Sequence, residues 1–324
     1  SNHSYDFIEK LRDILSGDID ISCLGEPMVE FTRLKKSVEE NYYIQSLGGD
    51  TSNCAVAAAR QGAKVAYITA VGDDRFGRFA IDFWIKENID VSGVSVFADY
   101  PTGIYFIEPA GNARDFTYYR KGSAASTMTA ENFPVEIISK SKFLHLSAIS
   151  QAISNTALET CAYAINLAKQ NAVKISYDTN LRLNLLDLKS ARKLIHETAK
   201  TADILFPSLD EARLLSGKQS IRDIVEYYIK FGPDILALKC GDQGAVIAYK
   251  NKIEFLPPLK VNAIDTSGAG DTFDGAFLSR LAAGYSPFDA GEYAVTAAGL
   301  SVKGYGAVKA IPARKRVLKE NANK

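Results

Sequence analysis

The chain has few of the side chains that hold metals or cross-link a fold. Its 324 residues include four cysteines and three histidines. The cysteines are widely spaced, with no CxxC pair and no histidine at metal-ligand spacing, which argues against a structural zinc site and for buried thiols in a reducing compartment. The histidines lie in no motif for nucleophilic catalysis, and His145 falls in an apolar strand pattern that is typical of a core residue.

Long apolar runs and an excess of charge are also absent. No run approaches the roughly 18 residues of a membrane span, and residues 1–10 lack the basic and apolar regions of a signal peptide. Lys plus Arg equal Asp plus Glu at 38 each, so no overall field favours nucleic acid or an acidic membrane. We therefore predict a cytoplasmic protein that acts on small molecules, with no nucleic-acid or membrane partner.

Apolar strand-like runs alternate with helical patterns along most of the chain. A helix is predicted over Asn155–Gln170, and the buried strands are predicted at 19–25, 64–71, 142–147, 173–178, 204–207 and 235–239. This alternation predicts an α/β fold with a doubly wound, mainly parallel sheet and helices on both faces. Ligands of such sheets bind at the carboxyl ends of the strands.

Two segments interrupt this alternation. Residues 28–45 and 101–120 are rich in aromatic and β-branched side chains with period-two stretches, which predicts a small second sheet built from two excursions. We therefore divide the chain into an α/β core of residues 18–27, 46–100 and 121–320 and a small β-sheet unit of residues 28–45 and 101–120. Its Tyr and Phe side chains favour a homodimer through this sheet.

The segment DTSGAGDTF at 265–273 has the composition of an anion-binding site. Gly268, Ala269 and Gly270 can bring backbone N–H groups together at the start of an apolar helix, where unsatisfied amides and the helix dipole favour a phosphate. Asp271 follows, and a carboxylate there can take the proton from an attacking hydroxyl in phosphoryl transfer. The alternative is that Asp271 only caps a helix after a glycine turn.

A second glycine pair lies upstream. Gly48 and Gly49 lack Cβ atoms, so the backbone can approach a ligand closely and offer its amides. The amide of Asn53 can donate to one sugar oxygen and accept from another hydroxyl, which suits polyol recognition. The alternative is a simple turn followed by a helix that starts at Cys54 and is capped by Asn53. Asp50 is left out of the predicted site.

Two arginines indicate the charge of the substrate. Arg120 lies in the segment YYRKGSAAS at 118–126, and Arg182 lies in DTNLR at 178–182, at the end of a predicted strand. An arginine fork binds a carboxylate through two parallel hydrogen bonds, and a neutral sugar does not need it. The pair therefore favours a sugar acid. The alternative is that each arginine lies at the surface and pairs with an acidic residue.

The stretch DTSGAGDTFDGAFL at 265–278 resembles the C-terminal signature of the ribokinase-like (PfkB) carbohydrate kinases. GGDTSNCA at 48–55, continuing to RQG at 60–62, is similar to the other signature of that family, and the resemblance runs over residues 19–312. It implies the ribokinase-like fold, a β-sheet lid over the sugar, ATP and Mg²⁺ as cofactors, and Asp271 as general base with an anion hole at Gly268, Ala269 and Gly270.

The resemblance also implies the nucleotide site. Glu211 would organise Mg²⁺ indirectly through its waters, and Asp265 could contribute to a monovalent-cation site. Residues 297–306 either line an adenine pocket or pack closely in a helix. The residues that match the ATP-binding positions of the family are Ser208, Lys239, Gly241, Gly244, Ser267, Gly268 and Gly270. Lys239 could alternatively complete a salt bridge.

Among PfkB kinases, the segments around the two arginines look like those of 2-keto-3-deoxygluconate kinases. That likeness implies Tyr105, Tyr118, Arg120 and Arg182 as substrate ligands, beside Gly48, Gly49, Asn53 and Asp271. Arg114 and Lys121 are interpreted as solvated residues at the lid edge. The predicted activity is phosphorylation of 2-keto-3-deoxygluconate to its 6-phosphate. The alternatives are a fructokinase or other neutral-sugar kinase, and a non-catalytic sugar-binding sensor.

Overall fold

The structure, a computed structural model, describes residues 18–34, 42–110 and 113–324. Residues 1–10, and parts of both predicted lid segments at 35–41 and 111–112, lie outside the described residues. The strands are β1 Ile19–Leu24, β2 Met28–Arg33, β3 Tyr43–Gly48, β4 Val65–Gly72, β5 Ile89–Asp90, β6 Val94–Phe97, β7 Ile104–Ala110, β8 Ala113–Tyr119, β9 Ser141–Ser147, β10 Lys174–Asp178, β11 Ile204–Phe206, β12 Ile235–Lys239, β13 Ala245–Tyr249 and β14 Lys252–Leu256.

The described helices agree with the predicted alternation. The helix predicted over Asn155–Gln170 has those same bounds. The helices are α1 Asp50–Arg60, α2 Arg75–Lys86, α3 Ala124–Thr127, α4 Val135–Ser139, α5 Ala148–Ala152, α6 Asn155–Gln170, α7 Leu188–Ala199, α8 Leu209–Ser216, α9 Ile221–Ile229, α10 Ala269–Ala282, α11 Pro287–Ser301 and α12 Arg314–Ala322.

A ten-stranded sheet forms the centre of the molecule. Its order is β14-β13-β12-β11-β10-β9-β1-β4-β5, with β6 paired to β4. The pairs from β12 to β5 are parallel, and the pairs β12–β13 and β13–β14 are antiparallel. The chain leaves β1 for β4 on one side and reaches β9 on the other, so the strand order reverses at β1. A doubly wound sheet binds its ligands at such a switch point.

Helices cover both faces of this sheet, as predicted. One face packs against apolar side chains of α6 to α9, and the other packs against α1, α2, α10, α11 and α12. The six predicted strands are all present, within one or two residues of their expected ends. Each is an almost continuous buried apolar run, because a parallel strand covered on both faces has no solvated side. The prediction of the fold class is confirmed.

Two of the covering helices pack unusually closely behind the candidate site. A Cβ atom added to Gly275 in α10 would lie 2.4 Å from the Cys54 carbonyl oxygen in α1. Only a glycine lets the two backbones approach this far. The first turns of α1 and α10 are therefore held side by side.

The small sheet consists of two hairpins. Strands β2 and β3 pair in antiparallel fashion, as do β7 and β8. The hairpins join through a parallel pairing of β2 with β7, in which Val29 lies opposite Ile104. The predicted single sheet built from two excursions is therefore present, and the order of its strands is β3-β2-β7-β8.

The predictions about cysteine and histidine side chains agree with the described core. All four cysteines are buried and have free thiols. His145 is buried, shares a hydrogen bond of 2.8 Å with Ser176, and has a pKa that burial lowers to about 4. No helix within residues 18–34, 42–110 and 113–324 is both long enough and apolar enough to cross a membrane.

Candidate functional site

The glycine-rich segment forms the start of α10. Gly268 has φ of +72°, and a Cβ there would lie 2.9 Å from that of Ala307, so both conformation and space require glycine. The helix begins at Ala269, whose N–H donates a long bond of 3.3 Å to the Thr266 carbonyl. The first-turn amides lack the carbonyl partners that a preceding helical turn would supply, which suits them to bind an anion.

Asp271 lies in this first turn and faces the start of α1. Its Oδ2 accepts a hydrogen bond of 3.0 Å from Nδ2 of Asn53. Asp271 does not cap the helix, since the cap position is Gly268 and has no side chain. Desolvation and the nearby charge of Asp50 raise the pKa of Asp271 well above its usual range, although the bond from Asn53 lowers it. A raised pKa makes the carboxylate a stronger base.

The alternative reading of Asn53 as a helix cap is wrong. Helix α1 begins at Asp50, after Gly49 with φ of +105°, so Asn53 lies inside the first helical turn. The early start follows from Gly49, because its left-handed conformation lets the chain turn directly from β3 into the helix. Asn53 and Asp271 are consequently brought together from positions 218 residues apart.

Asp50, which the sequence analysis left out, belongs to the same group. Its Oδ2 accepts a bond of 3.0 Å from Nδ2 of Asn180, and its Oδ1 accepts from the Thr51 amide. Burial raises the pKa of Asp50, and Arg182 acts in the opposite direction. Its position directly after the Gly48-Gly49 pair was the one signal that could have identified it.

A buried cation lies beside Asp271. Nζ of Lys239 is 2.7 Å from Asp178 and 3.0 Å from Asp274. Burial alone would raise the pKa of Asp178, but the charge and hydrogen bond of Lys239, together with Asp274 and His145, bring that pKa down to about 2. Carboxylate oxygens of Asp178, Asp271 and Asp274 approach within 4.8 Å of one another, a spacing that could hold a metal ion. The ammonium of Lys239 lies between Asp178 and Asp274, and burial and the charge of Asp178 raise the pKa of Asp274 well above its usual range although Lys239 lowers it.

Arg120 is half-buried and forms an ion pair. Its Nε and Nη2 both lie 2.8 Å from Oε1 of Glu26, and Ser123 donates to the other carboxylate oxygen. The guanidinium also lies over the ring of Tyr118, 5.6 Å from its centroid. Desolvation raises the pKa of Glu26, and Arg120 lowers it. The paired-arginine alternative therefore describes Arg120, although at a half-buried position and not at the surface.

The two predicted tyrosines lie together on the inner side of the lid. The rings of Tyr105 and Tyr118 stack with centroids 5.5 Å apart. The Tyr105 hydroxyl donates a bond of 2.7 Å to Glu30. A Cβ at Gly48 would lie 2.4 Å from this hydroxyl, which explains why glycine is needed there. The structure thus brings Gly48, Tyr105 and Tyr118 into one wall.

Arg182 has a different partner from Arg120. Its Nη1 is 3.5 Å from Oε1 of Glu211, and Oε2 of Glu211 accepts from the Leu181 amide. Desolvation and the charge of Asp178 raise the pKa of Glu211. The two arginines lie at separate acidic partners. Asp50 is within electrostatic reach of Arg182 and of Glu26, the partner of Arg120. A shared carboxylate fork stays a prediction.

A cavity of about 950 Å³ adjoins the first turn of α10. Its wall includes part of the predicted adenine segment, as Ala298, Gly299 and Val302, and also Val295, which precedes that segment. The predicted nucleotide residues that line it are Ser208, Glu211, Lys239, Gly241, Gly244 and Gly270. Ser267 and Gly268, predicted for the same ligand, do not line it.

Arg114 is exposed on the lid, as interpreted, but it also makes contacts that the interpretation as a solvated residue did not include. It extends from β8 across to the glycine-rich segment, where Nη1 donates a bond of 2.8 Å to Oγ of Ser267. Its Nη2 lies 3.0 Å from Oδ1 of Asp265. Arg114 and this segment are more than 150 positions apart along the chain, so no local sequence pattern links them.

The site therefore combines an anion-binding helix start, a carboxylate base, a lid and an adjoining cavity. A model of the pfkB family of carbohydrate kinases matches residues 18–314. The chain belongs to that family. The kinase prediction and the ribokinase-like fold are confirmed, and membership of a kinase family removes the support for the sensor alternative.

Three comparisons place this kinase among its relatives. It is 31% identical to 2-dehydro-3-deoxygluconokinase from Thermoproteus tenax over 301 residues, which cover 91% of each chain. It is 30% identical over 312 residues to fructokinase-1 from Oryza sativa subsp. japonica, covering 92% of this chain and 96% of the relative. A solved sugar kinase from Pyrococcus horikoshii in complex with ATP has a TM-score of 0.81 and 27% identity, covering 92% of this kinase and 97% of that chain.

Proposed function

We propose that this kinase transfers a phosphoryl group from ATP to the terminal hydroxyl of 2-keto-3-deoxygluconate, the sugar acid that is also named 2-dehydro-3-deoxygluconate. The observation that carries the choice of a sugar acid is the position of Arg120. Its guanidinium is half-buried beside Tyr118, with Nε donating to Oε1 of Glu26 and Nη2 in an ion pair with the same oxygen. Among the described residues Nη2 is a buried nitrogen that makes no hydrogen bond, so the guanidinium has a donor left for a carboxylate oxygen of the substrate.

The proposed reaction uses Asp271 as the general base. The carboxylate accepts the proton of the sugar hydroxyl while the sugar oxygen forms a bond to the γ-phosphorus of ATP. The bond from that phosphorus to the bridging oxygen breaks, and ADP leaves with its electrons. The amides at Gly268 to Gly270 lie at the helix start, where they can stabilise the charge of the transferring group. Closure of the lid would exclude water.

ATP is assigned to the cavity beside α10, and Mg²⁺ to the acidic side of that cavity. Glu211 lines the cavity, and a carboxylate is a suitable partner for a magnesium ion that keeps much of its hydration. When bound, Mg²⁺ supplies positive charge at the phosphates. Asp265 is the residue expected to contribute to a monovalent-cation site. Its carboxylate oxygens already accept hydrogen bonds from the Ser267 and Gly306 amides. A monovalent cation there stays a prediction.

A neutral ketose such as fructose is the second candidate. Two observations favour it, because the charge of Arg120 is balanced by Glu26, and a further carboxylate, Asp50, lies within electrostatic reach of that pair. An acidic group near the substrate would repel a sugar acid and could accept hydrogen bonds from sugar hydroxyls.

The test compares kcat/KM for 2-keto-3-deoxygluconate, 2-keto-gluconate, fructose and ribose in an ATP-coupled assay. Arg120→Lys keeps a positive charge for Glu26 but loses the fork. Loss of one hydrogen bond to a charged group costs about 1.5–3 kcal/mol, so we expect kcat/KM for the keto acids to fall about 10- to 150-fold and that for fructose to change little. Arg33→Ala, in an exposed lid ion pair with Glu108, is the control. Preference for fructose or ribose in the wild type would reject the sugar acid.

We also propose that the lid forms a homodimer contact. On the lid face that carries Tyr105, one cross-strand row runs through Ile44, Thr32, Ile107 and Phe116, and its end residues Ile44 and Phe116 are 54% and 44% exposed. Apolar ends of this kind favour a self-complementary contact. Sedimentation should give a dimer for the wild type and a monomer for Ile44→Asp with Phe116→Asp. A wild-type monomer at micromolar concentration would exclude the dimer.

A further inference from the structure

One side chain joins the lid directly to the phosphate-binding turn. Arg114, on β8 of the lid, contacts both Ser267 and Asp265, which immediately precede Gly268. The side chain of Arg114 is 39% exposed, whereas that of Asp265 is 5% exposed. The contact is thus made between an exposed side chain of the lid and a nearly buried acceptor.

Asp265 is well fixed by the core. Its Oδ1 accepts from the Ser267 amide at 3.0 Å, and its Oδ2 accepts from the Gly306 amide at 2.9 Å. Burial alone would raise the pKa of Asp265, but these two bonds and Arg114 together lower it. Asp265 therefore stays charged at neutral pH and offers a permanent partner to a cation from the lid.

Arg114 also balances a carboxylate of the lid itself. Desolvation raises the pKa of Glu30, the charge of Asp265 raises it further, and Arg114 lowers it. Glu30 in turn holds the hydroxyl of Tyr105 on the inner wall. The guanidinium thus lies in electrostatic contact with one acid of the core and one acid of the lid. Because Arg114 and Glu30 belong to the same small sheet, moving the lid away would leave the core acid, Asp265, without this cation.

We propose that Arg114 is a positioning residue for phosphoryl transfer. Through its contacts with Ser267 and Asp265, it fastens the closed lid to the turn whose amides receive the transferring group. The loss of this tie would leave the sugar and the phosphate-binding turn on elements that move independently. The proposal rests on the kinase activity of the family and does not depend on which sugar is the substrate.

The attacking hydroxyl of the sugar and the γ-phosphate of ATP must be aligned for the transfer to proceed. The sugar hydroxyl is presented from beneath the lid, and its proton goes to Asp271 as the oxygen–phosphorus bond forms. The leaving ADP is held on the side of the cavity. A misplacement of about 1 Å between these groups can cost about 100-fold in rate, so a tie between lid and turn is expected to act on kcat.

The experiment compares Arg114→Ala and Arg114→Lys with Arg33→Ala as the matched control. Arg33 is another lid arginine, but its partner, Glu108, belongs to the lid itself, at 3.8 Å. The assay uses whichever sugar the wild type phosphorylates best, and measures sugar phosphate and ADP separately. We expect Arg114→Ala to lower kcat about 10- to 100-fold, with little change in the KM for ATP. The ratio of ADP to sugar phosphate should rise, because an untied lid admits water.

Arg114→Lys keeps the charge but reaches only one of the two partners at a time, so we expect it to retain an intermediate kcat. Arg33→Ala should match the wild type in both products. A rise in the KM for sugar with unchanged kcat would make Arg114 a substrate ligand and overturn the proposal. A lower unfolding temperature with unchanged kcat and product ratio would also overturn it. If the wild type prefers a neutral sugar, the substrate assignment fails while this test keeps its meaning.

Discussion

Replacement of Asp271 by Asn is expected to reduce kcat by about 100- to 10,000-fold, the usual contribution of a general base. The amide cannot accept the hydroxyl proton, but its oxygen can still receive the bond that Asn53 donates to Oδ2 of Asp271. The fold and the affinity for sugar should therefore persist. Turnover in a coupled assay and sugar binding by calorimetry measure the two properties separately. A variant that kept more than a tenth of the wild-type kcat would remove Asp271 from the role of base.

The pH dependence of kcat/KM for the wild-type enzyme should also report on the role of Asp271 as general base. The base must be deprotonated, so activity is present above its pKa and lost as the pH falls through it. Because desolvation and Asp50 raise the pKa of Asp271, the acid limb of kcat/KM should lie above the range of an ordinary carboxyl group. Asp50→Asn removes one cause of the shift and should move that limb to lower pH.

Replacement of Lys239 by Met is expected to lower the free energy of unfolding by about 3–5 kcal/mol, the usual cost of removing one partner of a buried ion pair. The side chains of Lys239, Asp178 and Asp274 are 9%, 4% and 1% exposed, so the carboxylates left behind would have little solvent. Urea unfolding at neutral pH measures the change. Lys174→Met is the control, since Lys174 is 57% exposed and its ion pairs with Asp203 and Asp234 should contribute less than about 1 kcal/mol.

The loss of stability caused by Lys239→Met should become smaller as the pH falls. Asp178 has a pKa lowered to about 2 in the folded protein, so it contributes stability above its unfolded pKa, and that contribution disappears as the pH falls towards about 2. The difference between wild type and Lys239→Met should therefore shrink in acid. A difference below about 1 kcal/mol at pH 7 would contradict the ion-pair account. A raised KM for ATP in the variant would support the predicted phosphate contact of Lys239.

The sequence was sufficient for the sheet, its covering helices and the glycine-rich turn. Neighbouring residues in the sequence determine these features. A parallel strand is a continuous apolar run, and a helix start needs its glycine within a few residues. Helix α6 was placed with both of its ends. The start of α1 was misplaced by four residues, since the prediction gave the capping role to Asn53 when the backbone conformation of Gly49 decides it.

The partners of the site's charged residues could not be read from local patterns. Glu26 neutralises Arg120 across 94 positions, and Asn180 binds Asp50 across 130. Neither spacing follows from strand or helix periodicity, because each pair meets only when the strand ends converge at one edge of the sheet. Arg114 was misjudged for the same reason, since its acceptors lie on another layer of the molecule.

The parallel pairing of β2 with β7, the seam between the two lid hairpins, affects chimaeras of this kinase with its relatives. Each hairpin of the lid is inserted separately in the chain, yet the seam pairs Val29 with Ile104 and Glu30 with Tyr105. A graft of one insertion alone would join two surfaces that were never matched to each other. The lid is thus discontinuous in the gene but indivisible as a replaceable module, and specificity can be transplanted only by exchanging both insertions together.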